Sequence, residues 1–456
     1  MSLIDNQKIS QKILNNTKNE YLICYNSINL FRNKNLKEIK INSKRFFQKL
    51  IHLDLMVYNI KKIKYKNIFI SHLINEKQLK TKEDLYLDNI INSVTKKEKG
   101  IRVFINHCNS KINYTQNYNL VNYIQRRSIY LLNDFFYIFY FIVCYMKIKI
   151  RISKIRNINL YNFFKNKLNL IDSIKSSSNL ILAKNLSNFL SKKNNQNIFI
   201  PFEGHSWEKI LIKKIRETNP LIKIFYYQFN LNDKNLLALK FLKNKKISPQ
   251  ILLFSSFVAK SHFQNSYKNN NLKTILIGSS RLININKINF DNKKCLVVPE
   301  GIEFEIELFL NLIKDYHKIF SNFEFILRLP PHIDYENKID QHNLLNHSKI
   351  SLSNNKNLLD DVKLCSFVLF RGSSAVFNCL YNGLIGIYYN YNNLNPNIPF
   401  PLMKILNKKL FIIKSVYELE DTFKFEIPQN MDRNFQADFK KYYFPNYHDK
   451  DLLKYL

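Results

Sequence analysis

The chain has 456 residues, of which 46% are hydrophobic, including 36 Phe and 27 Tyr. That is enough length for two or three domains and enough apolar volume to fill their cores, which excludes a disordered chain. Seventy Lys plus Arg against 35 Asp plus Glu give a formal net charge of +35. Such charge suits an acidic partner (nucleic acid, anionic lipid or phosphorylated substrate), and it equally fits a coding bias toward Lys, Asn and Ile. No zinc finger, basic zipper or aromatic RNA-binding signature accompanies it, so nucleic acid is not expected as a partner.

Six scattered cysteines (Cys24, Cys108, Cys144, Cys295, Cys365, Cys379) form no Cys-x-x-Cys pair, and no secretory signal opens the sequence. A reduced, cytoplasmic protein without a structural metal is expected. Residues 1–125 are poorly defined: short apolar runs at 67–70 and 101–105 alternate with Lys/Asn-rich stretches, and no chemistry is legible in them. Residues 126–152 form an apolar and basic segment. Its centre, 135–146 (FFYIFYFIVCYM), lies between Arg126 with Arg127 and Lys147, Lys149 with Arg151. Twelve residues are too few to span a bilayer. Two readings stand: a buried helix, or shallow insertion into an anionic membrane face, aided by aromatic and cationic flanks.

From 178 the pattern becomes regular. It predicts an amphipathic helix over 178–190, a strand over 197–201, a helix over 205–217 and a strand over 222–228, a β-α-β unit of a parallel sheet. A strand over 251–254, a helix after Ser256 and a strand over 274–277 follow, the last ending at Gly278-Ser279-Ser280-Arg281. After a polar linker at 283–293 the alternation restarts with a strand over 295–298. A helix with apolar positions at Ile302, Ile306, Phe309, Leu310, Ile313 and Phe320 comes next, close to a 3.6 period. Strands over 323–327 and 349–352 and a helix over 357–364 lead to 366–390, which reads as strand, Gly-Ser-Ser turn, helix, glycine, strand.

In open parallel sheets ligands bind beyond the carboxyl ends of strands, so the strand-end loops hold the candidates. Phe202-Glu203-Gly204-His205-Ser206-Trp207-Glu208 offers a carboxylate suited to a general base and a neighbouring imidazole. The alternative is that Glu203 or Ser206 caps the helix and Trp207 packs in the core; Glu208, a turn further on, reads as structural. Glu300, in Pro299-Glu300-Gly301, either meets a sugar or acceptor hydroxyl or simply favours the positive end of the next helix. Arg328-Leu329-Pro330-Pro331-His332 brings a cation able to grip phosphate and an imidazole able to donate to a phosphate or leaving nucleotide. Arg371 either binds phosphate or pairs with Asp360 or Asp361, and Gly372, Ser373 and Ser374 form either a phosphate site or a helix cap. A Walker A loop and a Gly-x-Gly-x-x-Gly turn are both absent, against a P-loop ATPase or a dinucleotide dehydrogenase.

The order Phe-Glu-Gly-His-x-Trp-Glu, Pro-Glu-Gly, strand-end Arg with Pro and His, then Ser-Ser with a helix and Gly383 resembles bacterial surface-carbohydrate glycosyltransferases of the GT-B type. It is most similar to the group with bacterial sialyltransferases and polysialyltransferases, over 195–395. The resemblance implies an α/β fold of two facing Rossmann-like domains with a cleft between them. It implies an N-terminal acceptor-side domain over 1–282, a nucleotide-sugar-binding domain over 294–420 and a tail over 421–456 packing back on the first. It implies Glu203 as general base with His205 beside it, and His332 as the phosphate or leaving-group contact. Arg328, Arg371, Gly372, Ser373 and Ser374 would surround the donor phosphates. Glu300, Gly301 and Asn378 would contact sugar or acceptor, Asn378 standing where many such enzymes carry a ribose-binding glutamate.

The expected activity is transfer of a sugar from a nucleotide donor, CMP-linked in the sialyltransferase branch, to a capsule, lipopolysaccharide or other surface-polysaccharide precursor. It would need no metal or cofactor and would take place at the inner face of the cytoplasmic membrane. Two rivals are a CDP-polyol phosphotransferase of surface-polymer synthesis and a non-catalytic basic protein that binds membrane or nucleic acid.

Overall fold

The computed structural model describes residues 65–73, 76–79, 84–106, 114–117, 120–125, 131–153, 170–190, 196–231, 242, 247–266, 272–285, 293–300, 303–330, 349–355, 357–391, 410–425 and 433–456. They form two sheets. The first contains β1 (Asn67–Leu73), β2 (Gly100–Asn106), β3 (Tyr114–Asn117), β4 (Leu120–Gln125), β5 (Asn197–Pro201), β6 (Lys223–Gln228), β7 (Ile251–Phe254) and β8 (Lys273–Leu276). Their order is β3-β4-β2-β1-β5-β6-β7-β8, and only β3 runs antiparallel to its neighbour. The second contains β9 (Lys294–Val298), β10 (Glu324–Leu327), β11 (Ile350–Leu352), β12 (Phe367–Phe370), β13 (Ile385–Tyr389) and β14 (Leu410–Ile413), all parallel, in the order β11-β10-β9-β12-β13-β14. Counted from its first strand this is 3-2-1-4-5-6, the doubly wound Rossmann order.

Helices connect the strands: α1 (Ile90–Thr95), α2 (Leu131–Ser153), α3 (Leu170–Phe189), α4 (Ser206–Thr218), α5 (Phe257–Ser266), α6 (Glu303–Ile319), α7 (Leu358–Val362), α8 (Val376–Tyr381), α9 (Val416–Phe423), α10 (Arg433–Tyr443) and α11 (Lys450–Leu453). The expectation of two Rossmann-like α/β units holds. β5, β7, β12 and β13 are buried along their whole length, which is why they read as unbroken apolar runs instead of alternating ones.

The first third of the chain carries more than the sequence indicated. The runs at 67–70 and 101–105 become β1 and β2, inner strands of the first sheet, and β1 pairs directly with β5. Both are buried on two faces, so their apolar pattern says strand without saying which neighbour each strand takes.

The apolar run at 135–146 lies within the 23 residues of α2, which is buried on one side and exposed on the other. Phe141 is fully buried, α2 packs on α3, and the Lys184 ammonium stands 4.0 Å over the Tyr137 ring. On the other side Phe136, Phe139, Met146 and Ile150 are all at least half exposed. Among the described residues no helix is long and apolar enough to cross a membrane.

The segment joining the sheets is held by two asparagines one turn apart, Asn378 on α8 and Asn382 just past its end. Asn378 Oδ1 accepts from Ile283 N at 3.1 Å while its Nδ2 donates to Arg281 O at 3.1 Å. Asn382 Oδ1 accepts from Ile285 N at 2.9 Å and its Nδ2 donates to Ile283 O at 2.9 Å. The two amides thus act toward the linker as a strand edge would. Asn382 is fully buried, so Asn382→Ala should leave linker groups unsatisfied and cost about 2–3 kcal/mol, read as a lower urea midpoint at unchanged slope.

The last segment ties the units together. On α10, Phe439 and Tyr443 pack against Phe377 of α8; Gln436 Nε2 donates to Tyr381 O, and Ser256 Oγ, at the start of α5, donates to Tyr442 O, both at 3.1 Å. Beyond it the chain returns to the first sheet, where Ser279 N donates to Pro445 O and His448 N donates to Ile277 O.

Candidate functional site

In a doubly wound sheet the strand order reverses at one place, and the loops leaving the two strands there diverge to opposite faces and open a crevice. In the first sheet that place lies between β1 and β5; in the second it lies between β9 and β12. The loop after β5 is Phe202-Glu203-Gly204-His205, and the register of β1 on β5 brings His72 level with Phe202. The loops at the second crevice begin at Pro299-Glu300 and Arg371-Gly372-Ser373-Ser374. Sequence reasoning found three of these four places and missed His72.

Both crevices are built on the same short pattern, Glu-Gly-x-x-x-Glu, at 203–208 and 300–305. In each, the second glutamate reaches back from the new helix to the backbone of the first. Glu208 Oε1 accepts from Glu203 N and its Oε2 from Gly204 N, both at 3.1 Å; Glu305 Oε2 accepts from Glu300 N at 2.7 Å. Gly204 has φ of 79°, a left-handed turn that a side chain would strain. Burial pushes Glu208 up to about 7, with His205 opposing and Glu203 adding to the shift. Burial likewise pushes the adjacent Lys209 down to about 8, opposed by Glu208. Burial is also the main reason Glu305 rises to about 7, with Glu300 adding. The sequence reading of Glu208 as structural is consistent with this geometry; the recurrence of the pattern was a readable signal for Glu305.

At the first crevice the imidazole and carboxylate meet. His205 Nε2 lies 2.8 Å from Glu203 Oε2, with the His205 side chain 52% exposed and that of Glu203 21% exposed. Burial would lower the His205 pKa, but the hydrogen bond and charge of Glu203 outweigh it, and the imidazole stays protonated above its ordinary range. On the other side of the same oxygen, His72 Nε2 lies 3.9 Å away. The His72 ring is buried against Tyr86, 4.9 Å between centroids, and edge-on to Trp207 at 6.0 Å. Its burial lowers its pKa in spite of Glu203, which favours the neutral ring. Trp207 packs in the core, as the structural reading of that residue had it.

At the second crevice both arginines have internal partners. Arg371 is buried; its Nη1 donates to Tyr389 O at 2.6 Å and its Nε lies 4.0 Å from Glu305 Oε1. Arg328, not Arg371, pairs with Asp361, and its Nη1 also reaches Ser353 Oγ at 3.2 Å and Asn355 O at 3.1 Å. Glu305 Oε1 further accepts from Gly372 N at 3.5 Å, joining the two loops. Ser373 is half-buried and Ser374 exposed. Among the described residues neither serine donates its N–H or hydroxyl to a protein acceptor.

The other Gly-Ser-Ser turn, 278–280, differs. Ser279 Oγ donates to Asp88 Oδ2 at 2.5 Å, Ser280 Oγ donates to Asp88 Oδ1, and the chain near Pro445 fills the turn. Asn378 is engaged with the linker through both ends of its amide, and Gly301 and His332 lie outside the described residues. No group of three or more His, Cys, Asp or Glu among the described residues is arranged to hold a metal ion.

No family model matches the sequence, and no curated protein matches it. Solved structures similar to it include an S. aureus MnaA–UDP complex, with TM-score 0.49 and 10% identity over 86% of this chain and 98% of that one. An alpha,alpha-trehalose-phosphate synthase (UDP-forming) from Burkholderia vietnamiensis has TM-score 0.41 and 9% identity over 82% of this chain and 94% of that one. A Methanocaldococcus jannaschii UDP-GlcNAc 2-epimerase in complex with UDP-GlcNAc and UDP has TM-score 0.39 and 10% identity over 61% and 81%. At such values the reading of the fold rests on the two sheets themselves.

Proposed function

We propose that the chain is a glycosyltransferase that moves a sugar from a nucleotide donor to a hydroxyl of a surface-polysaccharide or lipid-linked precursor. The observation that carries this is the pairing of unlike crevices: a solvent-reaching imidazole–carboxylate pair at one, and at the other a turn whose serine N–H and hydroxyl groups donate to no protein acceptor among the described residues. Such a division suits a reaction in which an acceptor hydroxyl loses its proton on one side and an anionic phosphate departs on the other.

In the reaction, the acceptor oxygen forms a bond to the anomeric carbon while the bond from that carbon to the donor phosphate breaks. The hydroxyl proton passes to the Glu203–His205 pair, and the electron pair of the broken bond leaves with the nucleotide. His205 is the more exposed partner, with Nε2 already turned to Glu203, so Nδ1 is the nitrogen that meets the hydroxyl. Glu203 then holds the imidazolium that forms. This refines the expectation of Glu203 as the base itself: its Oε2 is taken by His205 and it sits deeper. The nucleotide phosphate belongs at the Ser373 and Ser374 donors; Arg371 shapes that turn from beneath, and Glu300 stands at its edge toward the sugar. Arg328 supports the neighbouring loop through Asp361, and His332 is retained as a candidate leaving-group contact. The exposed apolar side of α2, with Lys147 and Lys149 also exposed, would rest on an anionic membrane that carries the acceptor.

A thermal-shift screen against CMP-, UDP-, GDP- and CDP-linked compounds tests the reading. A ligand at a hundred times its Kd should add about 2.7 kcal/mol of apparent stability, and only one nucleotide class should act well below millimolar concentration. Product analysis then separates the rivals. Free nucleotide with transferred or hydrolysed sugar supports glycosyl transfer; released polyol phosphate points instead to a phosphotransferase. Strongly salt-dependent binding to vesicles or nucleic acid, with no stabilisation by any nucleotide, points to a non-catalytic basic protein.

A further inference from the structure

The first crevice holds one group that neither the sequence motifs nor the proposed reaction uses. His72 comes from β1, more than a hundred residues before Glu203, and reaches the crevice only because β1 lies beside β5. The same Glu203 oxygen lies 2.8 Å from His205 Nε2 and 3.9 Å from His72 Nε2, so it sits between two imidazoles of unequal distance and exposure. His72 is 6% exposed and wedged between Tyr86 and Trp207, whereas His205 reaches solvent. The buried ring cannot meet an acceptor substrate, but its nitrogen can act on the carboxylate.

We propose that His72 is a positioning residue of the proton-accepting pair: with its proton on Nε2, it presents an N–H dipole to Glu203 Oε2 from 3.9 Å, longer than a hydrogen bond, and limits how tightly that oxygen holds a proton-bearing His205. The proposal rests on reading Glu203–His205 as the proton acceptor, and its test is chosen to stand apart from that reading. The charged and titratable groups acting on or touching His72 are Asp84 and Tyr86 from the segment after β1, and Glu203 and His205 from the β5 turn. Of these, Glu203 is the largest influence opposing the burial that keeps His72 neutral. A neutral N–H dipole pointing at a carboxylate offsets part of its charge, so removing that dipole should let Glu203 pull harder on the His205 proton.

The experiment is NMR titration of the histidine-labelled full chain, which has 10 histidines, with the His205 signal identified by its loss in His205→Asn. His72→Phe keeps a flat ring against Tyr86 and Trp207 but has no donor. It should raise the His205 midpoint by about 0.5 pH unit or more and move the alkaline-rising limb of kcat by the same amount. His72→Gln offers an amide N–H near the position of Nε2 and should keep the wild-type midpoint. A purely packing role predicts the reverse order, with Phe behaving as wild type and Gln perturbed, and that result overturns the proposal. An unchanged midpoint in His72→Phe, or equal shifts in both variants, overturns it too. If His72→Phe does not fold, His72→Leu reads the same shift. A shifted midpoint in a protein that turns over no nucleotide-sugar would sink the proposed function while leaving the positioning role in place.

Discussion

Glu203→Gln lowers kcat by about 10²–10⁴-fold while changing KM little, because the side chain is needed when the hydroxyl proton moves and not when substrate binds. The substitution keeps the shape but replaces the charge that holds His205 with a neutral amide. The His205 imidazolium then loses the hydrogen bond and the attraction that hold its pKa up, and burial, the opposing influence, lowers it. Two consequences follow for pH dependence. In the wild type, kcat should rise with pH through a midpoint above the ordinary histidine range of about 6.5, since only neutral imidazole accepts a proton. In Glu203→Gln that limb should move to lower pH as the plateau falls. The stability sign is the same: the raised His205 pKa stabilises the fold below its unfolded value, and that contribution disappears as pH rises through the folded midpoint. Glu203→Gln should therefore be more destabilising at pH 5.5 than at pH 9, measured by urea unfolding at both. Full glycan transfer by the variant would rule out the proton-accepting pair.

Gly278→Ala should be strongly destabilising. The turn has φ of 72°, and an added Cβ would stand 2.3 Å from Pro445 O and 2.4 Å from Asn446 O. Both are backbone atoms, held by Ser279 N donating to Pro445 O and His448 N donating to Ile277 O, so neither can step aside as a flexible side chain would. Either the C-terminal segment lifts from the first sheet or the turn reforms; each loses packing at Leu452, Tyr447 and their neighbours. A loss of about 4 kcal/mol or more is expected, with hydrogen exchange rising across residues 445–456 before it rises in β5 or β6. A wild-type urea midpoint would show that the contact is not held in solution. The contrast with Gly372-Ser373-Ser374 is part of the prediction: that turn has a short helix behind it and Ser373 is only half-buried, so substitution of Ser373 should affect ligand binding more than folding.

How much of this was legible beforehand varies by residue. The strands at 197–201 and 251–254 begin and end where the apolar runs do, and α4 and α6 follow their 3.6 periods within a residue or two. Glu203 and His205 were readable because a glycine, two acids and an imidazole at a strand end are unusual in a chain with only 7 glycines. The roles of Arg328, Arg371 and Asn378 were not, because residue type cannot say whether a cation or amide points to a ligand or to its own chain. Their internal partners, Asp361, Tyr389 O and the linker backbone, lie 18 or more residues away. The outer side of α2 is a similar case: its sequence says apolar and basic, and only packing divides Phe141 from Phe136 and Phe139.

The sequence by itself determined what depends on neighbours a few residues apart: strand and helix periods, the Glu-Gly turns, and the restart of the alternation at β9. Those features follow from local backbone preference and from burial pattern, which repeat every two or 3.6 residues. The tertiary structure alone decided strand order, and with it the two crevices. A strand buried on both faces presents the same apolar surface to any partner, so nothing local pairs β1 with β5. That pairing brings His72 to Glu203, and the chemistry proposed for the first crevice depends on it.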